Sequence, residues 1–469
     1  MSDWIYDIES FPNFFSFYAT NATADDQKLF EISWRRNDVD AFLNFMNWCA
    51  GQGDRHVGFN NMGYDYPILH WIMRQPRDQV NALTIYRKSK EILGTAWNQR
   101  FQHRVWDDDH VVPQIDLFML HHFDNMARST SLKELQFNMR SDSVMESTVP
   151  FDKIVTFTEM DEIIAYNIHD TDETLRFYDE SIGEIKFREE LSGMWGKNIL
   201  NHNATKIGKE HFIDELQKRS PGSCYEPGTR TKRQTIRDSI ALNDVIFDYV
   251  KFDHPELNRV LAYLKSQVIV ETKGVFKNLT ATVNGFDFDF GTGGIHGAVD
   301  NSIWRSDEDY TVEMRDVVSY YPSLAIANRI HPAHLGEVFC DVYEELFNER
   351  RRHAKGTTEN AALKLALNGT FGDTNSKYSP LFDPQYAMQI TINGQLLLCM
   401  LSENLMRVDG LQMIQVNTDG VAIYYPRKQK PLVDMICTQW EVLTKLELET
   451  DEYVSLFQRD CNNYIGVQE

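Results

Sequence analysis

The sequence predicts a multidomain chain that joins an α/β region to an α+β region, and three observations carry that expectation. The chain has 469 residues, enough for more than one core. Its N-terminal third alternates short apolar strands with helical stretches: Trp4 to Ile8 and the run from Val57 read as strands, Ile68 to Met73 and Met160 to Tyr178 as helices. Its later part sets a strand from Thr311 to Val318, a pair of short helices and a hairpin from Gln412 to Tyr425 in that order. Between these regions Ser220 to Gly228 is rich in Pro, Gly and Ser and marks a boundary or an exposed loop.

Composition narrows the class. The apolar fraction is 42%, so nothing suggests disorder. Six scattered cysteines form neither a disulfide framework nor a zinc site, which fits a reducing cytoplasm (that of a host cell if the source is viral). Asp3, Asp7 and Glu9 exclude a signal peptide at the N-terminus, and no apolar run is long enough to span a bilayer. A net charge of −22 argues against nucleic acid as a partner if taken as a global average. Basic clusters at Arg230 to Arg237 and Arg350 to Lys355, and carboxylates gathered around cations, make that average a poor guide.

Three stretches in the C-terminal half carry chemistry. In the first, Asp316 lies near a strand end, ahead of Ser319 and of Pro322 in the first turn of a helix, a good place for a cation and a phosphate or simply an acidic turn. In the second, Lys364 and Asn368 are four residues apart on a helix that Gly369 and Gly372 are expected to end. In the third, Asp419 sits at the tip of an Asp-Gly hairpin, which alone is more often a plain turn than a metal site. The N-terminal part adds a second set. Asp7 and Glu9 share one strand face, where they repel unless a cation lies between them, or they lie on a solvated edge. Asp65 opens a helix and could be only its cap. Tyr166 and Asp170 share a helix face, a pairing that is usually structural. Asp116 ends an apolar strand with no evident role.

In their order, the three later stretches resemble motifs A, B and C of the family B DNA polymerases, most nearly the bacteriophage branch. Asp-x-Glu, Asn-x-x-x-Asp and Tyr-x-x-x-Asp in the first third resemble the motifs of the DnaQ-like 3′–5′ exonucleases. The resemblance implies an RNase H-like exonuclease domain (1–185), a connecting region that includes the start of the palm (186–300), a palm (301–338 and 372–469) of antiparallel sheet with helices, and a two-helix fingers insertion (339–371). It implies a template-directed polymerase acting on primer–template DNA and dNTPs, with proofreading and two divalent cations, Mg²⁺ or Mn²⁺, per active site. The palm cations would be held by Asp316, Asp419 and the backbone near Val317. Tyr321 would lie beneath the deoxyribose. Arg351 and Lys355, expected one turn apart on the first fingers helix, would join Lys364 on the triphosphate, and Asn368 and Phe371 would line the nascent base pair. In the exonuclease the ligands would be Asp7, Glu9, Asp65 and Asp170, with Tyr166 orienting water. Asn61 and Lys133 (in Ser131-Leu132-Lys133) would contact DNA, as would Gly293 and Gly294 of a glycine loop and Tyr464 near the last strands.

The chain departs from the pattern at Gly369, Phe371, Asn417 and Gly420, and Gly291 stands where the glycine loop has tyrosine. An alternative reading follows: a DNA exonuclease whose polymerase half has decayed into a scaffold. No thumb is evident after the last palm strands, so the thumb is expected to be absent, cut away or supplied by another polypeptide, with a processivity factor as a further partner and no membrane. Met388 to Met406 is expected to be an amphipathic helix behind the sheet.

Overall fold

The computed structural model describes residues 2–125 and 128–468. The chain divides into two compact units, Met1–Ala204 and Thr205–Glu469. No helix among the described residues is long and apolar enough to cross a membrane.

The first unit is built on a five-stranded mixed sheet. In chain order its elements are β1 (Asp3–Phe11), β2 (Phe14–Asn21), β3 (Gln27–Ser33), α1 (Val39–Gln52), β4 (Arg55–Gly58), α2 (Asp65–Arg74), α3 (Ala82–Gly94), β5 (Gln114–Asp116), α4 (Leu117–Leu120), α5 (Leu132–Asn138) and α6 (Phe157–Trp195). The strand order is β3-β2-β1-β4-β5. β1, β2 and β3 are antiparallel neighbours, while β4 runs parallel to β1 and β5 parallel to β4. Alternation along β1 divides its side chains. Trp4, Tyr6 and Ile8 join an aromatic core with Phe17, Phe42 and Phe45. Ile5 packs on the other face with Val57, Ile115 and Phe177 of α6. Asp7 and Glu9 therefore lie on the α6 face. α6 is capped by Thr156 and Glu159 in a reciprocal box. It runs 39 residues, through position 185, until Gly196 turns left-handed at φ 64°.

α7 (Ala204–Arg219) leads into the second unit, followed by β6 (Ile240–Ala241), α8 (Pro255–Ser266), β7 (Val268–Ile269), β8 (Thr280–Val283), β9 (Phe286–Phe290), β10 (Ile295–Ala298), β11 (Ser302–Arg305), β12 (Tyr310–Val317), α9 (Tyr320–Ala327), α10 (Glu337–Arg352), α11 (Thr358–Thr374), α12 (Pro384–Leu405), β13 (Gln412–Asn417), β14 (Gly420–Pro426), α13 (Lys430–Thr444), β15 (Leu448–Tyr453), β16 (Ser455–Asp460) and β17 (Asn463–Val467). A seven-stranded sheet has the order β15-β12-β14-β13-β10-β9-β8, antiparallel throughout. β16 pairs with β11 and β17 with β16 in a separate sheet, so of the last three strands the first, β15, belongs to the large one.

Three sequence expectations are corrected. α12 is not amphipathic: it is buried on nearly every side, including Asn393, Gln395 and Ser402, because it forms the centre of the unit's main core. Gly369 and Gly372 do not end their helix. α11 continues to Thr374, since burial of Ala362, Leu363, Ala366, Leu367 and Thr370 at helical spacing outweighs roughly 1 kcal/mol per glycine. α10 stops at Arg352, and His353 is extended, so Lys355 lies in the turn before Gly356 (φ 93°) and not one helical turn from Arg351.

The middle of β12 carries a buried ionic knot. Glu313 is fully buried and accepts from Arg315 Nε (2.9 Å), Tyr425 Oη (2.6 Å) and Lys430 Nζ (2.6 Å), while Arg315 also reaches Asp434 at 2.6 Å. Removing Glu313 takes from the buried Arg315 its buried partner, leaving it Asp434, and leaves Lys430 with Glu452, at the strand that bears Asp316. Glu313→Ala is expected to destabilise the second unit by about 3–5 kcal/mol, measured by urea unfolding.

Candidate functional site

The first unit gathers four carboxylates. Asp7 and Glu9 project from β1 toward α6, whose Tyr166 and Asp170 lie one turn apart. Asp65 arrives as the first residue of α2. Asp65 and Asp170 are buried, while Asp7 and Glu9 keep partial access to solvent. Burial, and then the charge of Asp170, push the Asp7 carboxyl up to about 8. Glu9 is raised well above the usual range by burial and then by Asp7 and Asp170, and Asp65 by burial and then by Asp7. Desolvation and like charge act in the same direction here, and the charge of Lys133 offsets them only in part at Asp7 and Glu9.

Lys133 is the cation at this cluster. Its Nζ lies 3.3 Å from Asp170 Oδ1 and 4.4 Å from the centre of the Tyr166 ring. Gln136 Nε2 (3.4 Å) and His169 Nδ1 (3.3 Å) approach the same oxygen. Gln136 was not singled out in the sequence because its approach depends on how α5 packs on α6, whereas His169 is the neighbour of Asp170 on α6 itself. Among the described residues no three His, Cys, Asp or Glu side chains form a ready-made metal cage, so the carboxylates are electrostatic neighbours rather than a closed coordination shell. A shallow pocket of ≈ 450 Å³ adjoins Glu9 and Tyr166, walled by Phe11 and Phe151. Asn61 is not at this surface. It is fully buried and its Nδ2 donates to Gln114 Oε1 at 3.0 Å, so in this conformation its side chain holds a loop and offers nothing to a DNA strand.

The second unit holds a cleft of ≈ 780 Å³ whose lining comes from segments far apart in the chain. Asp316 and Val317 of β12, Tyr321 of α9, Arg351 of α10, Lys355 of the following turn, Lys364, Asn368 and Phe371 of α11, and Asp419 of the β13–β14 turn all face it. The N–H of Val317 donates to the carbonyl of Asp419 at 2.8 Å and joins the two acidic segments by backbone. Burial, and then Asp419, Asp451 and Glu449, push the Asp316 carboxyl up to about 6. The rings of Tyr321 and Phe371 meet at 4.5 Å between centroids. Tyr321 Oη donates to the carbonyl of Gly293, and Gly294 is buried against Thr418. The glycine loop thus braces the cleft wall. Tyr464, on β17, is part-exposed, and Asp316 and Asp419 are close enough to raise its phenol after burial has done so.

Several cleft residues escaped the sequence reading. Glu449 stands directly opposite Asp316 in the β12–β15 register, and Glu447 pairs with Arg351 at 3.4 Å. Arg350 Nη1 donates to Ser319 Oγ at 3.3 Å, where Ser319 adopts a left-handed backbone (φ 46°) that a non-glycine residue enters only under strain. Leu446 to Glu449 is visible as a strand in the sequence, but its partner and register are not.

The acid cluster of the first unit makes its stability depend on pH. Asp7 holds its proton to about pH 8 when folded, against roughly 3.9 for an unperturbed aspartate. Between those values the folded state binds more protons than the unfolded one, so stability falls as pH rises through that window. In metal-free buffer the first unit is expected to melt several degrees lower at pH 9 than at pH 5, and Asp7→Asn to flatten that slope, as read by scanning calorimetry.

No protein-family model matches the chain, and no curated protein matches it in sequence. Among solved structures it is similar to the family B DNA polymerase from the hyperthermophilic archaeon Pyrobaculum calidifontis, with a TM-score of 0.50 and 13% identity. The match covers 99% of this chain and 58% of that one, so the chain spans well under two thirds of the polymerase's length. At that identity the likeness concerns the fold: a mixed α/β, two-unit architecture like that of a family B DNA polymerase.

Proposed function

We propose that the chain is a template-directed DNA polymerase that extends a primer 3′ end with dNTPs and carries a 3′–5′ proofreading exonuclease. The observation that carries this reading is the ≈ 780 Å³ cleft, where four carboxylates (Asp316, Asp419, Glu447 and Glu449), four cations (Arg350, Arg351, Lys355 and Lys364) and an aromatic pair converge from segments far apart in the chain. The strand order β3-β2-β1-β4-β5 supports an RNase H-like first unit. The antiparallel sheet bearing Asp316 and Asp419 supports a palm, and the α10–α11 pair supports fingers. The likeness to a solved family B polymerase supports the same assignment.

The donor sets suit hard divalent cations: oxygen ligands, raised carboxyls and like-charge neighbours that a cation would quiet. Asp316, Asp419 and the backbone near Val317 would hold Mg²⁺ or Mn²⁺ in the cleft, and Asp7, Glu9, Asp65 and Asp170 in the first unit. Such ions supply Lewis acidity to the attacking oxygen and charge neutralisation to the leaving one. Arg351, Lys355 and Lys364 would bind the triphosphate through charged hydrogen bonds, the strong kind. Arg351 must first release Glu447 to do so. Asn368 would stand beside the nascent pair, and the tilted Tyr321–Phe371 pair would form its floor and crowd a 2′-hydroxyl. In the exonuclease Tyr166 would orient the attacking water, and Lys133 would leave Asp170 for the scissile phosphate. Primer–template DNA is the partner this requires. A thumb-bearing polypeptide or processivity factor and a cytoplasmic location belong to the same proposal.

A 5′-labelled primer–template incubated with Mg²⁺ or Mn²⁺, with and without dNTPs, tests the reading. Extension is expected for the wild type and Asp7→Ala and lost in Asp419→Ala; shortening is expected for the wild type and Asp419→Ala and lost in Asp7→Ala. Shortening with no extension, even at high enzyme concentration and low salt, would make the chain an exonuclease with a non-catalytic second unit.

A further inference from the structure

Asp116 is a fully buried acidic residue that has no place yet in the carboxylate cluster or the cleft. We propose that it is a positioning residue: it fixes the loop of residues 59–64 so that Asp65 is delivered into the carboxylate cluster. The inference rests on the exonuclease reading of the first unit.

At its two ends the loop is held by side chains: the Phe59 ring meets those of Phe118, Phe123 and Phe177, and the Tyr64 hydroxyl lies 2.6 Å from Ser89 Oγ. Its middle, residues 60–62, is held by polar contacts to β5. The loop leaves β4 at Gly58, passes through Asn60 in a left-handed conformation (φ 62°) and enters α2 at Asp65. It forms no ladder with a strand. A side chain at position 58 would meet Asn61 Cβ at 2.6 Å, so the loop folds back tightly on the strand it has just left. Parallel pairing then puts Asp116 beside Gly58. The Asp116 carboxylate is fully buried. Its Oδ1 accepts the N–H of Asn60 at 2.9 Å, and its Oδ2 accepts the N–H of Met62 at 3.0 Å. Hydrogen bonds to an ionised acceptor are about twice as strong as neutral ones. Two residues along β5, Gln114 Oε1 receives Asn61 Nδ2 at 3.0 Å and Tyr6 Oη at 3.0 Å. The carbonyl of Asn61 in turn accepts the N–H of Tyr66 at 2.8 Å, so the first turn of α2 hangs from the loop. Asn201 secures β5 from behind, accepting the Asp116 N–H at 2.7 Å and donating to the Gln114 carbonyl at 2.8 Å.

The plainer role for Asp116 is to cap α4, since Oδ1 also accepts from the N–H of Phe118 (3.0 Å) and of Met119 (3.4 Å). Capping uses one oxygen and is served equally by asparagine. The bond from Met62 uses the other oxygen and is not served by asparagine, whose amide would face an N–H with another donor. Asp116→Asn therefore separates the two roles.

The test titrates Mn²⁺ into wild type, Asp7→Ala and Asp116→Asn by calorimetry and electron paramagnetic resonance, and measures kcat and KM for shortening a labelled oligonucleotide. For Asp116→Asn, Mn²⁺ binding to the first unit is expected to weaken about 10–100-fold, and kcat to fall by a similar factor with KM nearly unchanged. Mn²⁺ binding and kcat that match the wild type would overturn the proposal and leave Asp116 as a helix cap. Should Asp116→Asn not fold, Gln114→Met, which frees Asn61 at nearly constant volume, takes its place under the same two outcomes. A wild type that binds no Mn²⁺, or whose shortening survives Asp7→Ala, would instead overturn the exonuclease reading itself.

Discussion

The N–H of Val317 donates to the carbonyl oxygen of Asp419, and the arrangement of the cleft follows from that bond. It closes the end of the β12–β14 ladder, in which Asp316 faces Gly420, and sets the carboxylates of 316 and 419 side by side. Across the other edge of β12, Val318 donates to the carbonyl of Glu447 at 2.9 Å, so the strand end is held on both sides. Behind it, the Glu313–Arg315–Lys430 knot pins β12 to α13. A strand clamped along its length can present an acid whose charge its own surroundings oppose, which a free loop would let relax away.

The first unit solves the same problem with different parts. Its acids come from a strand, a helix start and a helix middle, and each is steadied by the chain itself: Asp7 and Glu9 by the sheet, Asp170 by Lys133, Gln136 and His169, and Asp65 by a loop tied to β5. The chain's net charge of −22 takes on a different meaning in this light. Part of it is concentrated where burial and like-charge neighbours oppose it.

How much of this was legible in the sequence depended on distance along the chain. The shared face of Asp7 and Glu9 follows from a period of two, the helix carrying Tyr166 and Asp170 from local periodicity, and the Asp419 tip from an Asp-Gly hairpin; all three elements stand where the sequence put them. That the acids would assemble was implied by family resemblance and not by the residues alone. What stayed hidden was set by pairing between remote segments. Glu449 is opposite Asp316 only because β15 takes one register on β12. Asp116 reaches the loop before Asp65 only because β5 lies parallel to β4, 56 residues away in the case of Asn60. Local rules also misjudged α11, where tertiary burial carried the helix past two glycines, and the DNA contact that the resemblance implied for Asn61 falls on a fully buried side chain.

Gly420 sets where Asp316 can sit. A Cβ built there would stand 1.9 Å from Asp316 Oδ1 and 2.7 Å from the carbonyl of Arg315. The space is occupied both by the carboxylate and by the backbone of its strand. Any larger residue at 420 would have to displace the strand along with the carboxylate, so the two positions cannot be varied independently: the acid keeps its seat only while its neighbour across the ladder has no side chain.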